Sequence, residues 1–69
     1  MDHDRRDLIN HLFALATGLL EDAASKAIEG QSPKLLTADC IARADDLHRS
    51  AQQLAALAKT INVIADLKN

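Results

Sequence analysis

Apolar residues recur at spacings of three and four along most of the chain. The first series is Ile9, Leu12, Ala16, Leu19 and Ala23; the second is Cys40, Ala44, Leu47, Ala51, Leu54, Ala58, Ile61 and Ala65. This is the rhythm of helices that cross at a shallow angle, near +20°. One punctuation mark, Gly30-Gln31-Ser32-Pro33, separates the two series. Gly30 suits a left-handed residue just past a helix end, Ser32 an N-cap, and Pro33 the first helical position. Asp2 or Asp4 can cap the first helix, with Asp7 in its first turn. The pattern predicts a helix over about residues 4–29, a turn at 30–33 and a helix over about 34–67. Thr37 is a rival N-cap that would start the second helix late. So short a turn makes the helices antiparallel neighbours, and the expected fold is one all-α helical hairpin over residues 1–69.

Small and large residues alternate within each series, so that alanine lets the axes approach and a facing leucine fills the space. Yet the apolar set is wider than one stripe. Leu8, Phe13, Leu15 and Leu20 flank the first series, and Ile41, Ala55, Leu57 and Ile64 flank the second. A single partner helix cannot cover so broad a face. The surplus gathers in residues 8–20 and 54–67, which antiparallel pairing brings together at the open end. The turn end, with Glu21, Asp22, Lys26, Glu29 and Lys34, is more polar. The second helix is also the longer one, and at 1.5 Å per residue its last nine or so residues would overhang by roughly 13 Å. That tail holds the β-branched run Thr60-Ile61-Asn62-Val63-Ile64, an unusual choice for a solvated helix end.

An uncovered apolar tail predicts an interface; the plainer alternatives are that N-terminal residues fold back over it or that it frays. The candidate partner-binding residues are Leu8, Leu12, Phe13 and Leu20 on the first helix. On the second they are Leu57, Ile61, Val63, Ile64 and Leu67. They would bury as a helix buries in a groove. The hairpin is expected to complete a four-helix bundle, as a homodimer or with a partner protein.

Composition sharpens the question of where this apolar half is buried. The chain has 69 residues, of which 48% are hydrophobic, and Phe13 is the only aromatic. That allows one small domain, of a size that often recruits a disulfide, a metal or a second subunit. Eight Lys and Arg against ten Asp and Glu give a formal net charge of −2. The balance argues against a strongly basic nucleic-acid binder or a membrane-surface helix. Cys40 stands alone, so no intramolecular disulfide is expected. The charged start, Met1-Asp2-His3-Asp4-Arg5-Arg6, lacks the apolar run of a signal peptide. No stretch approaches the roughly 20 apolar residues of a membrane span. The expected setting is a reduced cytoplasm.

The residues that carry chemistry form no strong constellation. His48 lies beside the second stripe, within reach of Asp45, and His11 is placed within a turn or two of it in a hairpin. The short ligand pairs that make zinc patterns specific are missing. The expected role is a surface or interface histidine, mildly pH-sensitive if buried. Met1-Asp2-His3 puts a histidine third from the amine, a set of nitrogens that suits Cu(II) or Ni(II). Cys40 reads as a small buried hydrophobe, with no Gly-rich loop to build an oxyanion site beside it. Gly18, after Thr17, marks either a close approach by another helix or a tolerated defect that costs roughly 1 kcal/mol. Arg5 and Arg6 sit at a helix N-terminus, where the macrodipole disfavours cations, and are candidates for a partner contact. Asp22–Lys26, Asp39–Arg43 and Asp45–Arg49 are i,i+4 pairs on a solvated face. Neither enzymatic activity nor a cofactor is expected.

Two resemblances add detail. The stretch Ala44-Asp45-Asp46-Leu47-His48-Arg49-Ser50, with its Ala and Leu layers, resembles the second helix of the Rop family of plasmid-copy regulators. That resemblance implies a dimer of hairpins that binds paired RNA loops through basic residues of the first helix. Between Arg6 and Lys26, however, this chain has no Lys or Arg. The segment Gln53-Leu54-Ala55-Ala56-Leu57, followed by Ile61, Val63 and Ile64, is similar to the last helix of TraM-type antiactivators. That resemblance implies a regulator that sequesters a quorum-sensing transcriptional activator. The function expected is therefore a non-enzymatic protein-binding regulator, such as an antiactivator. The alternatives are a Rop-like RNA-binding dimer and a structural module that only self-assembles.

Overall fold

The computed structural model describes residues 3–67. It contains two helices, α1 (His3–Glu29) and α2 (Thr37–Ala65), of 27 and 29 residues, packed on one another as a hairpin. The rod they form measures 54 × 14 × 10 Å. Alanine and leucine supply the propensity. Asp4 in the first turn of α1, Lys26 in its last and Asp39 in the first turn of α2 complement the helix dipoles.

One offset sets the register at both ends. At the open end the Arg5 guanidinium donates to the Leu67 carbonyl at 2.6 Å. At the turn end Arg43 Nε lies 3.2 Å from Glu29 Oε1. At the open end the two helices therefore finish level, and the expected overhang of α2 is absent there among the described residues; the same offset leaves residues 37–42 of α2, all exposed, beyond Glu29 at the turn end. The reason is the register: the connection takes residues 30–36 and α2 comes level with Glu29 only at Arg43, so its extra length projects past the turn end of α1 and not past the open end.

That connection also differs from the expected Gly-Pro turn. Gly30, Gln31 and Ser32 donate to the carbonyls of Lys26, Ile28 and Glu29 at 3.0, 3.1 and 3.3 Å, which satisfies the end of α1. No described residue has a positive φ, so Gly30 is not a left-handed cap. Pro33 occupies the second position of a β-turn in which Leu35 N–H donates to the Ser32 carbonyl at 3.2 Å. Ser32 Oγ accepts the Lys34 N–H at 3.4 Å, so this serine organises the turn and does not cap α2. The N-cap of α2 is Leu36, extended at φ −72° and ψ 155°, with no side-chain cap bond. Thr37 is inside the helix.

The seam of α1 is the expected one: Ile9, Leu12, Ala16, Leu19 and Ala23 are all half-buried. The seam of α2 is rotated. It runs Arg43, Leu47, Ser50, Leu54, Leu57, Ile61 and Ile64, whereas Cys40, Ala44, Ala51, Ala58 and Ala65 are exposed. Helix α2 carries two ladders that share Leu47, Leu54 and Ile61. Turning toward Leu57 and Ile64 buries two branched side chains where the other ladder would bury methyl groups. At ~25 cal/mol per Å² of apolar surface, the larger side chains decide the rotation. The same packing keeps the β-branched run 60–64 helical, with Thr60 Oγ1 bonded back to the Ala56 carbonyl at 2.9 Å.

Candidate interaction surface

The hairpin buries little of its apolar half. Ile61, at 8% exposure, is the only buried residue among those described. The accessible surface is 5332 Å², whereas the size scaling of compact monomers gives about 4,250 Å² for a chain of 7.5 kDa. The excess, roughly 1,100 Å², exceeds what one partner contributes to a standard interface, about 800 Å².

Exposed apolar side chains stand on both flanks of the seam. At 3.6 residues per turn, Phe13 and Leu20 stand on one side of the buried stripe of α1, and Leu8 and Leu15 on the other. On the first flank a groove of about 310 Å³ opens between Phe13, Ala16 and Leu20 of α1 and Leu54, Ala58 and Ile61 of α2. Asn62 is its one polar lining residue. The groove continues toward the turn as a hollow of about 170 Å³ that adds Ala23, Leu47 and Ala51. Large side chains of α1 thus stand beside small ones of α2. The opposite flank is more open, a hollow of about 540 Å³ lined by Leu15, Gly18, Leu19 and Leu57 with the polar Asp22 and Gln53.

The candidate partner-binding residues fall into two sets. Leu12, Leu57 and Ile64 are half-buried and Ile61 is buried, all four in the seam that holds the hairpin together. Leu8, Phe13, Leu20, Val63 and Leu67 are about half exposed, at 46–57%. Phe13 and Leu20 share the groove with Ile61, and Leu57 lines the opposite hollow. Three exposed residues, Ile28 (68%), Leu36 (70%) and Ile41 (58%), lie toward the turn, so the apolar surplus is not confined to the open end. Leu36 was legible as one of a Leu35-Leu36 pair that belongs to neither ladder.

The charged residues pair differently from the expected i,i+4 scheme. Glu29 lies 4.0 Å from Lys26 and 3.2 Å from Arg43, and Asp46 lies 3.7 Å from Arg43 and 3.2 Å from Arg49. This chain of ion pairs ties α1 to α2 beside the turn. Arg43 Nε is buried and its approach to Glu29 is an ion pair without hydrogen-bond alignment. At the other end Arg5 is engaged with Leu67, so its cation serves the fold: it satisfies a carbonyl at the C-terminus of α2.

The remaining chemical candidates are dispersed. Cys40 is exposed, because the rotation of α2 turns its ladder outward. His11 and His48 are both exposed, and the register sets them roughly 20 Å apart along the rod at 1.5 Å per residue. No group of three or more His, Cys, Asp or Glu residues is placed to hold a metal ion among those described. His3 approaches Asp7 at 3.8 Å, while Met1 and Asp2 of the copper-type triplet lie outside the described residues. Gly18 is open: a Cβ built there meets nothing within 4 Å. Among the described residues no helix is long and apolar enough to cross a membrane.

The class these features define is a two-helix rod with an unpartnered apolar flank. Comparison of the chain with protein-family models, curated proteins and solved structures finds no match.

Proposed function

We propose that the protein is a non-enzymatic regulator that acts by binding protein, and that the hairpin is half of a four-helix bundle completed by its partner. The observation that carries this reading is the groove of Phe13, Leu20 and Ala58, which stays open with Phe13 and Leu20 more than half exposed. In the form the last-helix resemblance implies, the partner is a transcriptional activator sequestered by the hairpin. The charge pattern supports protein over RNA. Lys26, Arg43 and Arg49 are paired with carboxylates, and α1 offers no cation between Arg6 and Lys26. The experiment is capture from the native cell with wild type and with a Phe13→Asp/Leu20→Asp variant as baits. A protein retained by wild type and lost by the variant is expected. Identical captures by both baits, or recovery of RNA with a steep loss of binding as salt rises, would overturn the reading.

A further inference from the structure

We infer that the occupant of the Phe13–Ala58 groove is a second copy of this chain, seated about a two-fold axis parallel to the rod with both turns at the same end. The inference rests on the protein-binding reading above and puts a second copy of the chain, in place of a transcriptional activator, in this groove. An isologous interface requires a surface that matches itself, and this flank does. Phe13 and Leu20 stand one heptad apart on α1, and Ala58 and Ala51 stand one heptad apart on α2. A two-fold axis along the rod lays α1 of one copy over α2 of the other, antiparallel, at the same level as within the hairpin. Phe13 then meets Ala58 of the second copy, and Leu20 meets its Ala51. Each large side chain enters the space an alanine leaves, twice over by symmetry. The same axis brings Arg6 of one copy level with Asp66 of the other, an opposite charge at the rim. The outward alanine ladder, Ala44, Ala51, Ala58 and Ala65, thereby acquires a role, since alanine lets helix axes approach closely. The opposite hollow, with Asp22 and Gln53 in its walls, has no such alternation. The excess surface of roughly 1,100 Å² per chain also matches what a stable dimer buries, about 800 Å² or more per partner.

Two measurements test the inference. Sedimentation equilibrium of wild type is expected to give twice the chain mass of 7.5 kDa. The Ala51→Glu/Ala58→Glu variant is expected to lose the dimer, whereas Ala14→Glu, on the outward face of α1, keeps it. Because Ala51 and Ala58 are exposed in the hairpin, glutamate there does not disturb its seam. The second measurement needs no core variant. A spin label on Cys40, the single exposed cysteine, reports the distance between copies. With turns at the same end it is about 20 Å; with turns at opposite ends it exceeds roughly 30 Å, from the 1.5 Å rise per residue. A monomeric wild type, a dimer that survives the double substitution, or the longer distance overturns the inference. If the wild type is monomeric yet the Phe13→Asp/Leu20→Asp bait still loses a captured protein, only the occupant is wrong. If neither effect is seen, the protein-binding reading falls as well.

Discussion

Gly18→Ala is expected to stabilise the protein, and the size of the gain follows from the structure. Gly18 is in the middle of α1 with a helical, negative φ, and a Cβ added there meets nothing within 4 Å. The substitution therefore brings the helix propensity of alanine without a steric charge against it, a gain of about 0.8–1 kcal/mol. Unfolding entropy of about 2.1 cal/mol/K per residue over 69 residues converts that gain into a rise of roughly 6–7 °C in Tm. If the cooperative unit is a dimer, both copies gain and the entropy doubles, so the shift is unchanged. Thermal unfolding followed by circular dichroism at 222 nm, at one fixed protein concentration, measures it. The sequence offered two readings of this glycine, a close helix approach or a tolerated defect. A fall in Tm, or a loss of the dimer mass, would refute the second and place another helix against Leu15 and Gly18. A higher Tm with an unchanged mass supports the tolerated-defect reading and leaves no helix packed against Gly18.

Four further substitutions probe other parts of the fold. Ile61→Ala removes the one side chain buried among the described residues and is expected to cost about 2–3 kcal/mol in urea unfolding, the low end for such a deletion because the space left opens toward solvent. Phe13→Ala, at 55% exposure, is expected to cost under about 1 kcal/mol within the hairpin and to show the rest of its effect in the dimer–monomer equilibrium. Gly30→Ala is expected to be neutral or mildly stabilising, since its Cβ would make ordinary contacts at 3.5 Å with the Ala27 and Lys26 carbonyls and φ is not positive. Glu29→Gln loosens the ion pairs to Lys26 and Arg43, which are about a third exposed, and is expected to cost under about 1 kcal/mol, less at high salt.

The sequence made the two helices and the seam of α1 legible, because helical periodicity is a local property and α1 has one dominant stripe. It did not make the rotation of α2 legible. Two ladders, one through Ala51 and Ala58 and one through Leu57 and Ile64, both satisfy the heptad spacing, and only the contact with α1 chooses between them. The exposure of Cys40 follows from that same choice. The overhang failed for a different reason: the connection takes residues 30–36 and α2 comes level with Glu29 only at Arg43, a register that depends on how Ser32 and Pro33 close a turn. Of the expected charge pairs, Asp39–Arg43 gives way to Glu29–Arg43, a partner on the other helix that spacing within one helix does not reveal, while Lys26 and Arg49 turn to Glu29 and Asp46 at i,i+3, an equally common helical spacing. For the candidate interface, spacing identified the apolar residues but could not separate those consumed by the seam, such as Ile61 and Ile64, from those left open, such as Phe13 and Leu20. Polar substitutions at Ile61 or Ile64 would therefore test the hairpin itself, and the open flank is better tested at Phe13, Leu20, Ala51 and Ala58.

The central claim is that association, and not the hairpin alone, buries the surplus apolar surface. The most direct test is the thermal midpoint of the unmodified chain at two concentrations a hundredfold apart. When folding is coupled to dimer formation, that change is worth about 2.7 kcal/mol by mass action. Spread over the unfolding entropy of two 69-residue chains, it raises Tm by roughly 9 °C. A midpoint that rises with concentration toward that value is the predicted result; a midpoint that does not move would contradict the account.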